Sequence, residues 1–430
     1  MKRRVVITGI GAVTPAGNNV DTYWDNVLKA KSAVTRITRF DPSRLASQIA
    51  GEVKDFDITK YIPRKLARNL ERFSQYGVVA AEEALLDAGL LPKIEEETNS
   101  VEQWKIDNSL VDPFRFGSII GVGLGGLDEI EAGRVQLDKR GPGRISPFFV
   151  PKTMANAASG NIAIRFGLQG TNFVCTSACA SGAHAIFSSL RAIQFGDADL
   201  IVTGAAESTL TELCMASFCS ARALSTRNDD PEHASRPFDK NRDGFVLAEG
   251  AGMLVFEELE HAKKRGAKIY AEVAGVGATD DAYHITAPDP TGIGPAKAME
   301  FAIRESGVPI ERFNYINAHG TSTQLNDPME TNAVKAVFGD RAKNVPISST
   351  KSVIGHLLGG AGGAELVILA KSIYEGIIPP TANYETPDPE CDLDYVPNEP
   401  RKEVITAALS NSLGFGGHNA SIALKLYEND

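Results

Sequence analysis

The stretch TNFVCTSACASGAHAIFSSLRAIQ (residues 171–194) contains a change of period that decides the fold class. Thr171, Phe173 and Val174 read as a β-strand. Downstream, Ala183, Ile186, Phe187, Leu190 and Ile193 recur on one face of an amphipathic helix. A strand that turns directly into a helix is the repeating unit of an α/β protein. The spacing puts Cys179 in the first turn of that helix. Unpaired N–H groups and the positive end of the helix dipole there favour a thiolate over a thiol. Ala178, Ala180, Ser181 and Gly182 are small enough to let a substrate approach. The competing reading is a buried structural cysteine, the commoner fate of a free thiol.

The same alternation runs through most of the chain. Strands are expected at 4–9, 116–122, 199–207, 252–259, 268–277, 313–319 and 405–412. Helices are expected near 21–30, 71–88, 295–306, 329–338 and 361–375. The run at 419–427 alternates like an edge or surface strand. These elements predict an α/β fold with mostly buried sheets. Cys179 in one half and His319 in the other each follow a strand, which suggests a duplicated unit. A break near 260–267 divides the chain into an N-terminal half (1–260) and a C-terminal half (261–430). The polar, aperiodic segment 91–114 reads as a surface insertion with solvated charges.

The chain has 430 residues, room for two domains or one duplicated unit, and a 43% apolar content that supports a large core. Cysteines 175, 179, 214, 219 and 391 are odd in number and irregularly spaced. They suggest neither a disulfide framework nor a zinc site, and point to a reducing compartment. A net charge of -10 leaves no basic excess to neutralise nucleic-acid phosphates. Lys2, Arg3 and Arg4 precede VVITGIGAV (5–13), which reads as a first strand rather than a signal segment. No apolar run approaches the roughly 18 residues of a membrane span, so no membrane insertion is expected.

Three further motifs accompany Cys179. In NAHGTSTQLND (317–327), His319 ends an apolar strand beside Gly320, where loop residues carry chemistry; by itself it could be a turn histidine. In SSTKSVIGHLLGGAGGAELVI (348–368), Lys351 and His356 precede five consecutive glycines or alanines (359–363), which let a helix lie close to another backbone. Glu365 sits in that otherwise apolar helix. If buried it needs a partner, with Lys351 or a backbone N–H as candidates; otherwise it lies on the surface. In LGFGGHN (413–419), glycines flank Phe415, as in a movable gate whose N–H faces a reacting oxygen, or as in a hairpin turn with a core anchor. GIGAVTPAG (9–17) and GVGLGG (121–126) evoke a dinucleotide fingerprint, but neither has the required glycine spacing together with a following acid. His184 is expected to pack on the Cys179 helix, His261 to sit on a solvated helix face, and His233 and His284 to lie in loops.

Taken with ARALSTRND (221–229), SRPFDKNRDGFVLAEGAGMLVFEELEHAKKRGAKIYAEV (235–273) and NSLGFGGHN, these motifs resemble the β-ketoacyl-[acyl-carrier-protein] synthases, the type II condensing enzymes of fatty-acid elongation. The resemblance spans the chain from Arg4 to the last strand, apart from 91–114. It implies a thiolase-like fold, with two βαβαβαββ halves in a five-layered αβαβα core, usually as a homodimer in the cytoplasm. It implies a Cys179–His319–His356 triad, support from Lys351, and an oxyanion hole formed by the N–H groups of Cys179 and Phe415. The substrate-binding set it implies is Thr321 and Thr323 on the pantetheine arm, Phe218 as a hydrophobic gate together with Phe415, Leu124 lining the acyl pocket near the dimer interface, and Glu365 anchoring the network. Acyl carrier protein is the implied partner, with a local basic patch of Arg64, Lys65 and Arg68 for docking. Neither a cofactor nor a metal is implied. His418 departs from the threonine of many bacterial members. The rival readings are a polyketide ketosynthase, which uses the same triad, and a non-catalytic chain-length subunit, which lacks the cysteine. A thiolase needs a second reactive cysteine, for which Cys391 has the wrong setting, and an acetyl-CoA-primed synthase would replace His356 by asparagine.

Overall fold

The computed structural model describes residues 2–92 and 105–428. Ten strands form one hydrogen-bonded sheet: β1 (Val5–Val13), β2 (Phe116–Gly121), β3 (Asn172–Cys175), β4 (Leu200–Glu207), β5 (Gly250–Glu258), β6 (Ala271–Asp280), β7 (Phe313–Asn317), β8 (Ile347–Ser348), β9 (Ala407–Gly414) and β10 (His418–Lys425). Their spatial order is β8-β7-β9-β10-β6-β1-β5-β4-β2-β3. Counted within each half, both sides have the order third, second, fourth, fifth, first. The pairing senses repeat as well: β2 is parallel to β3 and β4, as β7 is to β8 and β9. The fourth and fifth strands and the fifth and first pair antiparallel in both halves. The halves meet where β1 pairs with β6, in a register of only Val6↔Glu272 and Ile7↔Ala271.

Helices complete five layers. Helices α1 (Arg72–Asp87) and α2 (Ala157–Phe166) cover the outer face of the first half, and α4 (Ile293–Ser306) and α5 (Asn326–Phe338) cover the outer face of the second. Between the two half-sheets lie α3 (Ser181–Gln194) and α6 (Ala361–Glu375). Both middle helices are buried on nearly every side, which is why α6 reads as an almost unbroken apolar run. Their close approach depends on glycine. A Cβ on Gly182 would meet the Gly363 nitrogen at 3.0 Å, and a Cβ on Gly363 would meet the Ala205 nitrogen at 2.5 Å.

Three expectations change. The last strand is not an edge: β10 lies between β9 and β6, with Asn419–Leu424 buried. Its polar alternates are small and find partners inside; Ser421 Oγ donates to Asn411 Oδ1 at 2.9 Å. The duplication is real in topology, but the chemistry is not at equivalent positions. Cys179 follows a third strand, whereas His319 follows a second one. The segment 91–114 is not wholly at the surface, since Leu91, Ile106 and Val111 enter the core beneath α1; residues 93–104 of it lie outside the described residues.

Replacing Gly363 by Ala should cost about 1–3 kcal/mol, because the new methyl meets backbone on two sides and no rotamer can relieve it. Replacing Gly160 by Ala, into open space in α2, should instead stabilise by up to about 1 kcal/mol. Urea unfolding of the two variants checks this contrast.

Candidate active site

Cys179 stands just before α3. The helix begins at Ser181 with Ala180 as its N-cap, so the sulfur sits one position outside the first turn. Ala178, at φ +49°, makes the sharp turn that presents it. The thiolate expectation is corrected here. Burial pushes the thiol up to about 12, outweighing the Lys351 ammonium and the Phe415 N–H that bonds the sulfur. Gly414 lets the Phe415 loop approach: a Cβ there would lie 3.2 Å from the Cys179 nitrogen.

Two histidines of the second half stand together and reach the Cys179 cluster through Phe245. The His319 and His356 rings lie edge to face with centroids 5.4 Å apart. Both are buried. Phe245 packs against His356 at 5.4 Å and against Phe218 at 5.3 Å, and Phe218, Phe245 and Cys179 share one apolar cluster. Burial and the neighbouring Lys351 cation hold both histidines well below their ordinary value, so both rings are neutral. Lys351 Nζ donates to the His319 carbonyl at 2.6 Å and lies 3.5 Å from His319 Nδ1. A cation there leaves no place for a proton on Nδ1, so the His319 proton sits on Nε2.

Lys351 is itself fixed by Glu365. The two form a buried ion pair, each about 1% exposed. Burial lifts Glu365 to about 7 against the pull of Lys351. Glu365 is thus neither exposed nor positioned to touch substrate; it acts through Lys351. Thr321 and Thr323 stand on the His319 loop with their hydroxyls 3.0 Å apart. Leu124 is 54% exposed and Phe415 40% exposed, as side chains at a site mouth would be. His418, the departure, is half-exposed, with Nδ1 3.4 Å from Asp280 Oδ2 and its ring edge-on to His184. His184 bonds Ser177 through Nδ1 at 2.6 Å. Arg64, Lys65 and Arg68 lie exposed on and beside the short helix Arg64–Ala67, away from any ion pair among the described residues. His261 is not simply solvated: its Nδ1 lies 2.6 Å from the buried Glu257.

Sequence reading missed two acids. Glu330 on α5 accepts the N–H groups of His319 and Gly320, both at 2.8 Å, and so holds the loop that carries the imidazole. Glu207 ends β4 fully buried and accepts N–H groups from the GVGLGG loop. That loop does cradle an anion, but the anion is the chain's own carboxylate. An acid closing the apolar run LIVTGAAE was the available signal. Among the described residues, no group of three His, Cys, Asp or Glu side chains is placed to hold a metal.

Comparison with known proteins shows the family. Residues 2–262 match the family model for the β-ketoacyl synthase N-terminal domain, and 270–385 match that for its C-terminal domain. A 3-oxoacyl-[acyl-carrier-protein] synthase 2 from Synechocystis sp. is 49% identical over 427 residues, 99% of each chain. One from Staphylococcus aureus strain N315 is 47% identical over 426 residues, again 99% of each. A β-ketoacyl synthase from Burkholderia phymatum superposes with a TM-score of 0.89 at 35% identity. A ketosynthase complexed with its type II polyketide acyl-carrier protein gives 0.89 at 34%, and both structures are covered over 100% of each chain.

Replacing Lys351 by Met should leave Glu365 a buried carboxyl without its partner, which must take up a proton to stay in place, and cost about 3–5 kcal/mol. Adding Glu365→Leu should recover most of that stability, as read by thermal denaturation. Alkylation of Cys179 at fixed pH should stay slow in both variants, because the cation that favours the thiolate is gone.

Proposed function

The chain belongs to the β-ketoacyl synthase family, and from that membership and the geometry of the site we propose a specific division of labour among its residues. The reaction is fatty-acid chain elongation, in which malonyl-[acyl-carrier-protein] condenses, with loss of carbon dioxide, with an acyl chain held on the enzyme. The observation that carries the assignment is the pair of neutral, mutually perpendicular imidazoles beside Lys351, joined to Cys179 through one apolar cluster.

The Cys179 sulfur attacks the acyl thioester of a loaded carrier protein. The sulfur–carbonyl bond forms, the bond to the carrier thiol breaks, and the thiol proton leaves with the carrier. N–H groups of Cys179 and Phe415 receive the negative oxygen of the tetrahedral intermediate. Malonyl carrier protein enters next, its arm running past Thr321 and Thr323. Loss of carbon dioxide leaves an enolate. Its oxygen takes hydrogen bonds from the imidazoles of His319 and His356, and neutral rings serve better than cations that would hold the malonyl carboxylate in place. The enolate carbon attacks the Cys179 thioester and expels the sulfur, which regains a proton. The product is a 3-oxoacyl carrier protein two carbons longer.

The polyketide reading is not favoured. The near-full-length relatives at 47–49% identity are named 3-oxoacyl-[acyl-carrier-protein] synthase 2, whereas the type II polyketide ketosynthase is 34% identical. A chain-length subunit would lack the nucleophile that Cys179 supplies. Arg64, Lys65 and Arg68 are the surface offered to the acidic carrier protein. The functional unit is a homodimer formed through the open edge of β3, where Phe173 is 42% exposed and the neighbouring Ile164 is 77% exposed. Residues 1–260 and 261–430 act as the two halves of one catalytic unit. The enzyme works in the cytoplasm, in keeping with five free cysteines; no helix among the described residues is long and apolar enough to cross a membrane.

Incubation with an acyl carrier protein substrate should add one acyl group, on Cys179, by intact mass and peptide mapping; an adduct on another residue refutes the assignment. His319→Ala and His356→Ala should each slow release of carbon dioxide from malonyl carrier protein by about 10²–10³-fold. Decarboxylation by the wild type should stay level from neutral pH down to about pH 6, because both imidazoles titrate well below the usual histidine value near 6.5. A fall centred near that value would contradict neutral donors.

A further inference from the structure

Glu207 has no part in the chemistry above, yet its setting is unusual. It is 0% exposed and lies at the end of β4. No cation pairs with it among the described residues. Its carboxylate is held by backbone alone: Gly123 N–H at 2.6 Å, Leu124 N–H at 3.2 Å, Gly125 N–H at 3.1 Å and the Gly359 N–H. Both flanking glycines are shaped around it. A Cβ on Gly123 would sit 2.5 Å from Glu207 Oε2, and one on Gly359 would sit 2.6 Å from the same oxygen. One carboxylate therefore ties together two loops from opposite halves of the chain.

Those loops lead directly to the wall beside the nucleophile. The 123–125 loop runs into Leu127, and Gly359 follows Leu358. Leu127 and Leu358 belong to the apolar cluster that includes Cys179, Phe218 and Met215. Leu358 is held at φ +48°, a conformation that a leucine adopts only when its surroundings impose it. Glu207 supplies that constraint from one side, through the amide of the next residue.

We propose that Glu207 is a positioning residue that fixes the separation of the Leu127 and Leu358 walls, and so sets which acyl chains reach Cys179. The proposal rests on the reading that Cys179 carries the acyl chain. Only carboxylate oxygens accept four convergent amides without a competing proton or amide donor. The buried charge also acts on its neighbours. Its charge adds to the effect of burial in raising the Cys179 and Cys214 thiols. Burial lifts Glu207 itself to about 7, against the pull of the amides.

The test compares Glu207→Gln with Gly123→Ala. The Gln variant keeps the shape but removes the charge and turns an N–H₂ toward the amides. Its loading by long-chain acyl carrier protein should fall by about tenfold or more, with the preference between short and long chains flattened. Its Cys179 should react faster with iodoacetamide at about pH 8, because a like charge beside the thiolate has gone. The Gly123→Ala variant disturbs the cradle but keeps the charge. It should flatten the chain-length preference and leave the alkylation rate unchanged, a split that a general loss of stability would not produce. A wild-type chain-length profile in either folded variant, or unaltered alkylation in the Gln variant, overturns the proposal. If the Gln variant does not fold, the Gly123→Ala profile decides alone. If the wild type accepts no acyl chain at all, the reading of the site fails instead, and the alkylation rates still judge Glu207.

Discussion

The buried ion pair between Lys351 and Glu365 is the constraint on which the rest of the site depends. Taking both charges out of water is costly, and their attraction recovers that cost only while the geometry holds. Glu365 lies on α6, in the middle layer, and α6 is located by backbone-to-backbone packing against α3 and the first half-sheet. Helix α3 in turn follows directly on the turn that presents Cys179. The glycine contact between the two middle helices therefore aligns the sulfur of one half with the ammonium of the other. From that point Lys351 lowers the basicity of both imidazoles and draws the Cys179 thiol down against the effect of burial.

The wider electrostatic pattern follows one rule. Glu207 and Glu330 are buried beside the site, and among the described residues neither has a bonded cation; amides hold both, those of the backbone and, at Glu330, also those of Asn326 and Asn411. Amides are fixed dipoles that lose nothing when water is excluded, whereas an extra lysine would compete with Lys351 for the imidazoles. With Lys351 as the cation in the centre among the described residues, burial opposes ionisation of the sulfur and the rings rest neutral. A neutral nucleophile and neutral donors suit a substrate that arrives as a thioester and gains negative charge only as it reacts.

Much of this was legible in the chain. The change of period at 171–194, the alternation of strands and helices, and the glycine run before Glu365 all report local or nearest-neighbour physics. The demand that Glu365 find Lys351 follows from burial alone. What escaped was set by distance in sequence. The 419–427 run looked like a surface strand because Asn419 and Ser421 alternate with Ala420, Ile422 and Leu424; their partners, Asp281 and Asn411, are visible only in the folded sheet. At Cys179 the helix terminus is a local feature that the sequence displays, while the desolvation that opposes it is a property of the whole site. The partner of the GVGLGG loop escaped as well, because Glu207 lies some eighty residues downstream in β4.

The duplication gives the fold a symmetry that the chemistry does not share. Equivalent strands occupy equivalent places in both half-sheets, yet the nucleophile follows the third strand of one half and His319 follows the second strand of the other. The segment topologically equivalent to the Cys179 turn is the one after β8, and it carries Lys351 rather than a second nucleophile. A symmetric site would place like groups opposite one another. Here the two copies have diverged, so that one supplies the group that attacks and the other supplies the field and the donors. A reaction with two unlike half-steps, acyl capture and decarboxylation, requires that asymmetry. It can be built only where both copies meet, which is why the two middle helices approach through glycines that leave no room for a side chain.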